Sequence, residues 1–305
     1  MNNRSVFSRY LFSLLLVFLL FSCEKEPTEP PPPNTEVGSW TIYSPYDWSH
    51  DGYPYSSQYW VVYSDGASTF LKQKAGLFAD QKFIQIMEMF DFTNEEDFRL
   101  PRQNEKMNLY INQTHDQNIA AAYWGTIFLT IRTSDFDTSH FAYLFEHEIT
   151  HEFEFLIEGT VNLGTDVWFR EGIAIYGGGG RNYIRNVNDL NSWISSNSHF
   201  PNGGNPITIH LWEDFPEGSD IPGYYTVFDV VMKYILDTNG LGRALDDVLA
   251  LFYDMRNGMV FSTSFQNNFG ISLSEFEAQI FDRLTSYLSQ HPPVISAKID
   301  SYGIH

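Results

Sequence analysis

The stretch His147-Glu148-Ile149-Thr150-His151 constrains this chain more than any other. Apolar residues around it recur at helical spacing, and Asp137, Thr138 or Ser139 can cap the start. A helix is therefore expected from His140 or Phe141 to about Ile157. An α-helix advances about 100° per residue, so His147 and His151 share one face, one turn apart. Two imidazoles so placed can hold one metal ion. Glu148, at the edge of the same face, can take a proton from a water on that ion. Phe141, Phe145, Ile149, Phe153 and Leu156 fall on the opposite side of the wheel. They anchor the helix in a core and leave the imidazoles facing a cleft or solvent. The bland alternative is two histidines solvated, or paired with carboxylates, on a surface helix. The five-residue pattern alone arises by chance in roughly 1–2 % of chains of this composition, so its surroundings decide.

A third histidine ligand of the metzincin kind would need glycine at 154 and histidine at 157. Those positions hold Glu154 and Ile157, which excludes that spacing. Instead Trp168-Phe169-Arg170-Glu171-Gly172-Ile173-Ala174-Ile175-Tyr176 follows as a second short helix, with Glu171 20 residues after His151. Gly159 to Thr165 supplies the turn between the helices, and Thr165 or Asp166 the N-cap. Two helices folded back on each other can bring His147, His151 and Glu171 to one ion. Two histidines, one glutamate and an open fourth position form a catalytic zinc arrangement.

HEITH followed by WFREGIAIY resembles the gluzincin zinc metallopeptidases, most closely their peptidase MA-like branch, and its spacing is similar to thermolysin. The similarity is strong over residues 141–176, extends to about 107–290, and is only a general αβ pattern over 38–106. It implies that His147, His151 and Glu171 bind one Zn2+ and that Glu148 is the general base. It also implies a thermolysin-like α+β fold: an N-terminal αβ lobe with a mixed sheet and edge strand, the active-site helix, and an α-helical C-terminal lobe. The tract Ala120 to Ile131 is expected as a strand bordering the cleft, along which an extended peptide could add by backbone hydrogen bonds. Gluzincin aminopeptidases carry a glutamate near this strand. Residues 117–134 contain no acid, which favours endopeptidase action. By the same resemblance, a tyrosine on a later helix stabilises the oxyanion. Tyr225 is the first choice, Tyr224 the second, and His210 a weaker alternative; two aromatics merely packing a helix start would look the same. The family often has an acid four residues after the third ligand, where this chain has Ile175. Asp166 or a backbone carbonyl could orient a ligand histidine in its place. That departure supports the alternative of a surface binding protein on a catalytically decayed scaffold. Glu146, Glu152, Glu154 and Glu158 crowd the motif helix and suggest a preference for basic peptides. A serine or cysteine hydrolase has no support, since the chain lacks G-x-S-x-G and has a single cysteine.

That cysteine locates the protein. Arg4 and Arg9 precede an apolar run from Leu11 to Phe21, too short to span a bilayer and typical of a secretory signal. The run ends in Leu20-Phe21-Ser22-Cys23, which resembles a bacterial lipobox. The resemblance implies lipidation of Cys23 and attachment to the bacterial cell envelope, at the outer membrane or cell surface. The acidic, lysine-containing start after Cys23 resembles surface-export signals of Bacteroidota lipoproteins. Residues 1–22 thus read as the signal peptide. Residues 23–37, with Pro30-Pro31-Pro32-Pro33, read as a semi-rigid extended tether. Residues 38–305 read as one peptidase domain, with an N-lobe over about 38–158 and a C-lobe over about 159–290.

Composition agrees with a folded envelope protein. Acids outnumber bases 38 to 18, a net charge of −20, which argues against nucleic-acid binding. Seven Trp, 18 Tyr and 26 Phe are too many aromatics for a disordered acidic chain. The aromatic tract Trp40 to Tyr63 reads as sheet-face packing in preference to a sugar-stacking surface. Strands are expected at Trp60–Tyr63 and Met107–Ile111, and helices at 68–89, 166–176, 225–236, 242–255 and 273–288. The Gly177–Gly180 run lacks the lysine of a phosphate loop and reads as a helix stop. Peptide or protein substrates, a membrane anchor and a zinc ion are the expected partners; the sequence does not specify an oligomeric state.

Overall fold

Five short strands frame the described part of the N-terminal half. The computed structural model describes residues 54–290 apart from 66–68, 94, 100–105, 113–119, 131–138, 160–163, 181–183 and 201–203. Cys23, the apolar run, the proline tether, the aromatics from Trp40 to Tyr53 and the capping candidates Asp137 and Thr138 lie outside the described residues.

Strands β1 (Tyr55–Ser56), β2 (Trp60–Asp65), β3 (Met107–Asn112), β4 (Ala120–Tyr123) and β5 (Thr126–Thr130) form one mixed sheet in the order β1-β2-β3-β5-β4. β2, β3 and β5 run parallel, while β1 and β4 are antiparallel to their neighbours β2 and β5. Parallel neighbours need a crossover, and helix α1 (Thr69–Met89) supplies the one between β2 and β3. Side chains alternate along each strand. Trp60, Val62, Leu109, Ile111, Ile127 and Leu129 join one core with Ala75, Ala79 and Phe83 of α1 and with Phe145, Ile149 and Phe153 of helix α2 (Ser139–Glu158). On the other face Tyr63, Tyr110 and Phe128 stand in register across β2, β3 and β5, their rings stacked at 4.7 and 5.1 Å. Both Trp60 and Tyr63 thus serve the sheet faces, as read from the sequence.

The Ala120–Ile131 tract is not one strand. It turns at Trp124-Gly125 into the β4–β5 hairpin, with Tyr123 paired to Thr126. Gly125 takes φ = 80°, a conformation open to glycine and strained for other residues. The apolar run conceals the turn because Trp124 is no turn former; a single glycine carries the signal. β4 is thereby the terminal strand of the sheet.

Among the described residues six α-helices follow α2: α3 (Val167–Gly177), α4 (Val187–Asn197), α5 (Ile221–Leu236), α6 (Leu245–Arg256), α7 (Phe261–Phe269) and α8 (Leu273–Gln290). Sequence periodicity misses α4 and α7. Helix α4 is rich in Asn and Ser and buries only Leu190 and Asn197, so its period is faint. In α7 the core residues Phe261, Phe265 and Phe269 recur every fourth position between polar side chains. Helix α3 lies close against α5: a Cβ on Gly172 would come within 3.2 Å of the Phe228 carbonyl. The glycine after Glu171 therefore sets how near α5 can approach. The architecture is α+β, with every strand of the described residues before α2.

Candidate metal centre

Helix α2 lies between the sheet and the later helices, touching β4, β5, α1, α3 and α6. Of its expected core face, Phe145, Ile149, Phe153 and Leu156 are buried as the wheel requires. Its histidine face is buried too, His147 being 5 % exposed and His151 3 %. The imidazoles thus face the interior, toward Glu171 of α3, not solvent.

The structure brings His147, His151 and Glu171 together. The two Nε2 atoms are 3.1 Å apart; His147 Nε2 is 3.3 Å from Glu171 Oε2, and His151 Nε2 is 3.5 Å from Glu171 Oε1. Ligands about 2.0 Å from a tetrahedral zinc are separated by about 3.3 Å, the edge of the tetrahedron. The three donors match that edge and converge on one point. Neither oxygen of the fully buried Glu171 makes a hydrogen bond of normal geometry, so its lone pairs are given over to this point. The donor set of two imidazoles and one carboxylate can therefore hold a divalent ion such as zinc. Burial disfavours the Glu171 charge, but His151 and His147 outweigh it and hold the carboxyl well below its ordinary range.

Glu148 sits beside this cluster. Its carboxylate accepts the backbone N–H of Ala122 in β4, while Oε2 is buried with no hydrogen-bond partner among the described residues. Burial pushes its carboxyl up to about 8, partly offset by the His151 charge.

The outer support comes from a residue the sequence reading did not assign. Glu154, fully buried, places Oε2 3.2 Å from His151 Nδ1. It supplies the carboxylate that Ile175 cannot. Asp166, offered for that task, instead bonds His210 at 2.7 Å and makes no side-chain cap on α3. The first N–H groups of α3, on Val167 and Trp168, are taken by the carbonyls of His210 and Ile209. Arg170, in the variable position of WFREG, is buried, and its charge eases the burial of Glu154 and Glu158.

The acids of α2 do not line a substrate surface, and the expected basic-peptide preference loses its ground. Glu152 and Glu154 are fully buried, Glu158 accepts from Thr165, and Glu146 pairs with Lys82. The signal was in the alternation Glu152-Phe153-Glu154-Phe155: a helix apolar on every side must bury its acids, and each then needs an assigned partner.

The two tyrosines separate cleanly. The Tyr225 ring lies over His147, centroids 6.3 Å apart and planes at 24°, and is only partly buried. Tyr224 is fully buried among Trp193, Phe215 and Phe228, with burial pushing its hydroxyl up to about 12. Tyr225 is thus at the cluster and Tyr224 is core. His210 belongs to another group, bracketed by Asp166 and Glu277.

No protein-family model matches the chain, and no curated protein is similar to it in sequence. Among the described residues no helix is long and apolar enough to cross a membrane.

Proposed function

We propose that this chain is a zinc metallopeptidase of the gluzincin type, with a thermolysin-like catalytic fold, that hydrolyses peptide bonds at the bacterial cell envelope. The observation that carries the reading is the convergence of His147, His151 and Glu171 at tetrahedral spacing, with Glu148 beside them and bonded to β4. The lipobox-like Cys23 is the anchor in this reading, and a peptide or protein is the substrate.

His147, His151 and Glu171 would hold the zinc, which supplies Lewis-acid polarisation of a carbonyl and a water acidic enough to lose its proton near neutral pH. Glu148 would accept a proton from the attacking water as the water oxygen bonds to the peptide carbon. It then delivers the proton to the leaving nitrogen as the C–N bond breaks, giving a carboxylate and an amine. Tyr225 donates its hydroxyl hydrogen toward the oxyanion that develops on the carbonyl. In this reading an extended substrate lies along the outer edge of β4. Ala122 N–H points away from β5 toward Glu148, and by the alternation of antiparallel pairing Ala120 faces the same side. Residues 117–134 contain no acid of their own to hold a free amino terminus, which favours internal cleavage.

Zinc content and cleavage of a mixed peptide library test the reading, with a chelator control. Wild type should bind about one zinc and cleave; Glu148→Gln should keep the zinc and lose about 10³-fold in rate. Equal cleavage by the variant would overturn the mechanism. Zinc binding without any cleavage would favour the decayed binding protein.

A further inference from the structure

Glu152 is buried to 0 % exposure one turn beyond Glu148, and the chemistry above gives it no task. Its Oε1 lies 2.5 Å from the backbone nitrogen of Gly125, and the N–H of Thr126 also points to this carboxylate. Oε2 has no partner among the described residues, so one oxygen makes the contact. The residues it grips are the turn of the β4–β5 hairpin. That turn is tied down from other sides too. The Gly125 carbonyl accepts from Asn108 N of β3 at 2.8 Å. Trp124 Nε1 donates to the Arg99 carbonyl at 2.6 Å, and Arg99 N donates to Leu156 O of α2 at 2.7 Å.

Glu148 and Glu152 stand four residues apart, so both face the same strand from one side of α2. Glu148 takes Ala122 N–H near the end of β4; Glu152 takes the turn that closes it. The helix that carries both histidines thus holds the sheet's terminal strand at two points. A hairpin fixed only by its β5 pairing could swing with the sheet; this one is indexed to the metal cluster.

We propose that Glu152 is a positioning residue that fixes the outer edge of β4 relative to the metal cluster and so sets binding of extended peptide substrates. The inference rests on the peptidase reading. Because a single oxygen accepts the N–H groups, glutamine can replace the carboxylate and alanine cannot.

The test uses zinc-loaded wild type, Glu152→Gln and Glu152→Ala. Cleavage is measured on an extended peptide found in the library, and hydrogen exchange on residues 120–126. For Glu152→Ala we expect zinc content unchanged, KM raised roughly tenfold with kcat within about twofold, and faster exchange confined to the hairpin. Glu152→Gln should restore both readouts. Unchanged KM in a folded, zinc-loaded Glu152→Ala protein overturns the inference and leaves the peptidase reading standing. So does an equal loss in Glu152→Gln, which would mean that the charge and not the hydrogen bond matters. If wild type itself cleaves nothing, the peptidase reading falls and this inference with it. If Glu152→Ala does not fold, Glu152→Met and Glu152→Gln replace it: a KM effect in Met alone supports the inference, and none in either overturns it.

Discussion

Two clusters of histidine and carboxylate lie on or beside helix α3, and they do different things. Around Glu171 the donors face inward: both Nε2 atoms and both carboxylate oxygens meet within 3.1–3.5 Å, and His151 Nδ1 turns outward to Glu154. Around His210 the ring is pulled two ways: Nδ1 bonds Asp166 at 2.7 Å, while Nε2 lies 3.5 Å from Glu277. The two carboxylates of the second cluster thus address different ring nitrogens, and one donor atom from each of the three residues lies within 4.8 Å of the others, a looser grouping than the first. The first cluster is interior, whereas the His210 side chain is 41 % exposed. Tight convergence of donors, more than the presence of the right residue types, distinguishes the candidate metal centre from a bridged histidine.

The sharpest way to break this contrast is to delete one histidine from each cluster. His147→Ala should lower zinc affinity more than about 100-fold and abolish cleavage, since loss of even an outer partner costs about 10–100-fold. His210→Ala should keep about one zinc and near-normal cleavage. Metal analysis after dialysis against a weak chelator reads both. Loss of zinc on His210→Ala would erase the distinction.

Within the first cluster, Tyr225 and Tyr224 provide a finer contrast. Tyr225→Phe should lower kcat about 100-fold with zinc retained, because one donor to the developing charge is lost. Tyr224→Phe should leave kcat within about twofold, its ring being held among Trp193, Phe215 and Phe228. Steady-state kinetics on one peptide decides; equal effects would mean that neither hydroxyl acts. Glu154→Ala should lower zinc affinity about tenfold, at the weaker end of outer-partner effects, and competition with a colorimetric chelator measures it.

The sequence discloses these parts unequally, for physical reasons. His147, His151 and Glu171 are legible because helical geometry translates spacing into direction with little tertiary input. The long helices α1, α2 and α5 are legible because apolar residues recur in them at helical spacing, within a few residues at their ends. Glu154 and Glu152 are not, because whether an acid on a helix meets water or a buried donor depends on what covers that face. The sequence marks both faces of α2 as apolar enough to be covered, and that was the available warning. The β4–β5 turn hides because one glycine inside an apolar run weighs little against seven strand-forming neighbours. The His210–Asp166 contact, 44 residues apart in sequence, follows from tertiary packing alone.

The smallest effect probes the second cluster through pH. Burial opposes the His210 cation, but the Asp166 hydrogen bond, with Asp166, Glu277 and Asp214 as charged neighbours, outweighs it and raises the imidazole above its ordinary value. The folded state thus binds the proton more tightly than the unfolded chain. The resulting stability is fully present below the unfolded value of about 6.5 and is lost as pH rises through the folded one. Wild type should therefore melt above His210→Asn at pH 5.5, and the gap should close toward pH 8.5. A ring this exposed is screened, so the gap should not exceed a few degrees. A metal ligand would behave oppositely: it binds as neutral imidazole, so added zinc would widen the gap as pH rises. Melting curves with and without zinc at the two pH values distinguish a protonated bridge from a second metal centre.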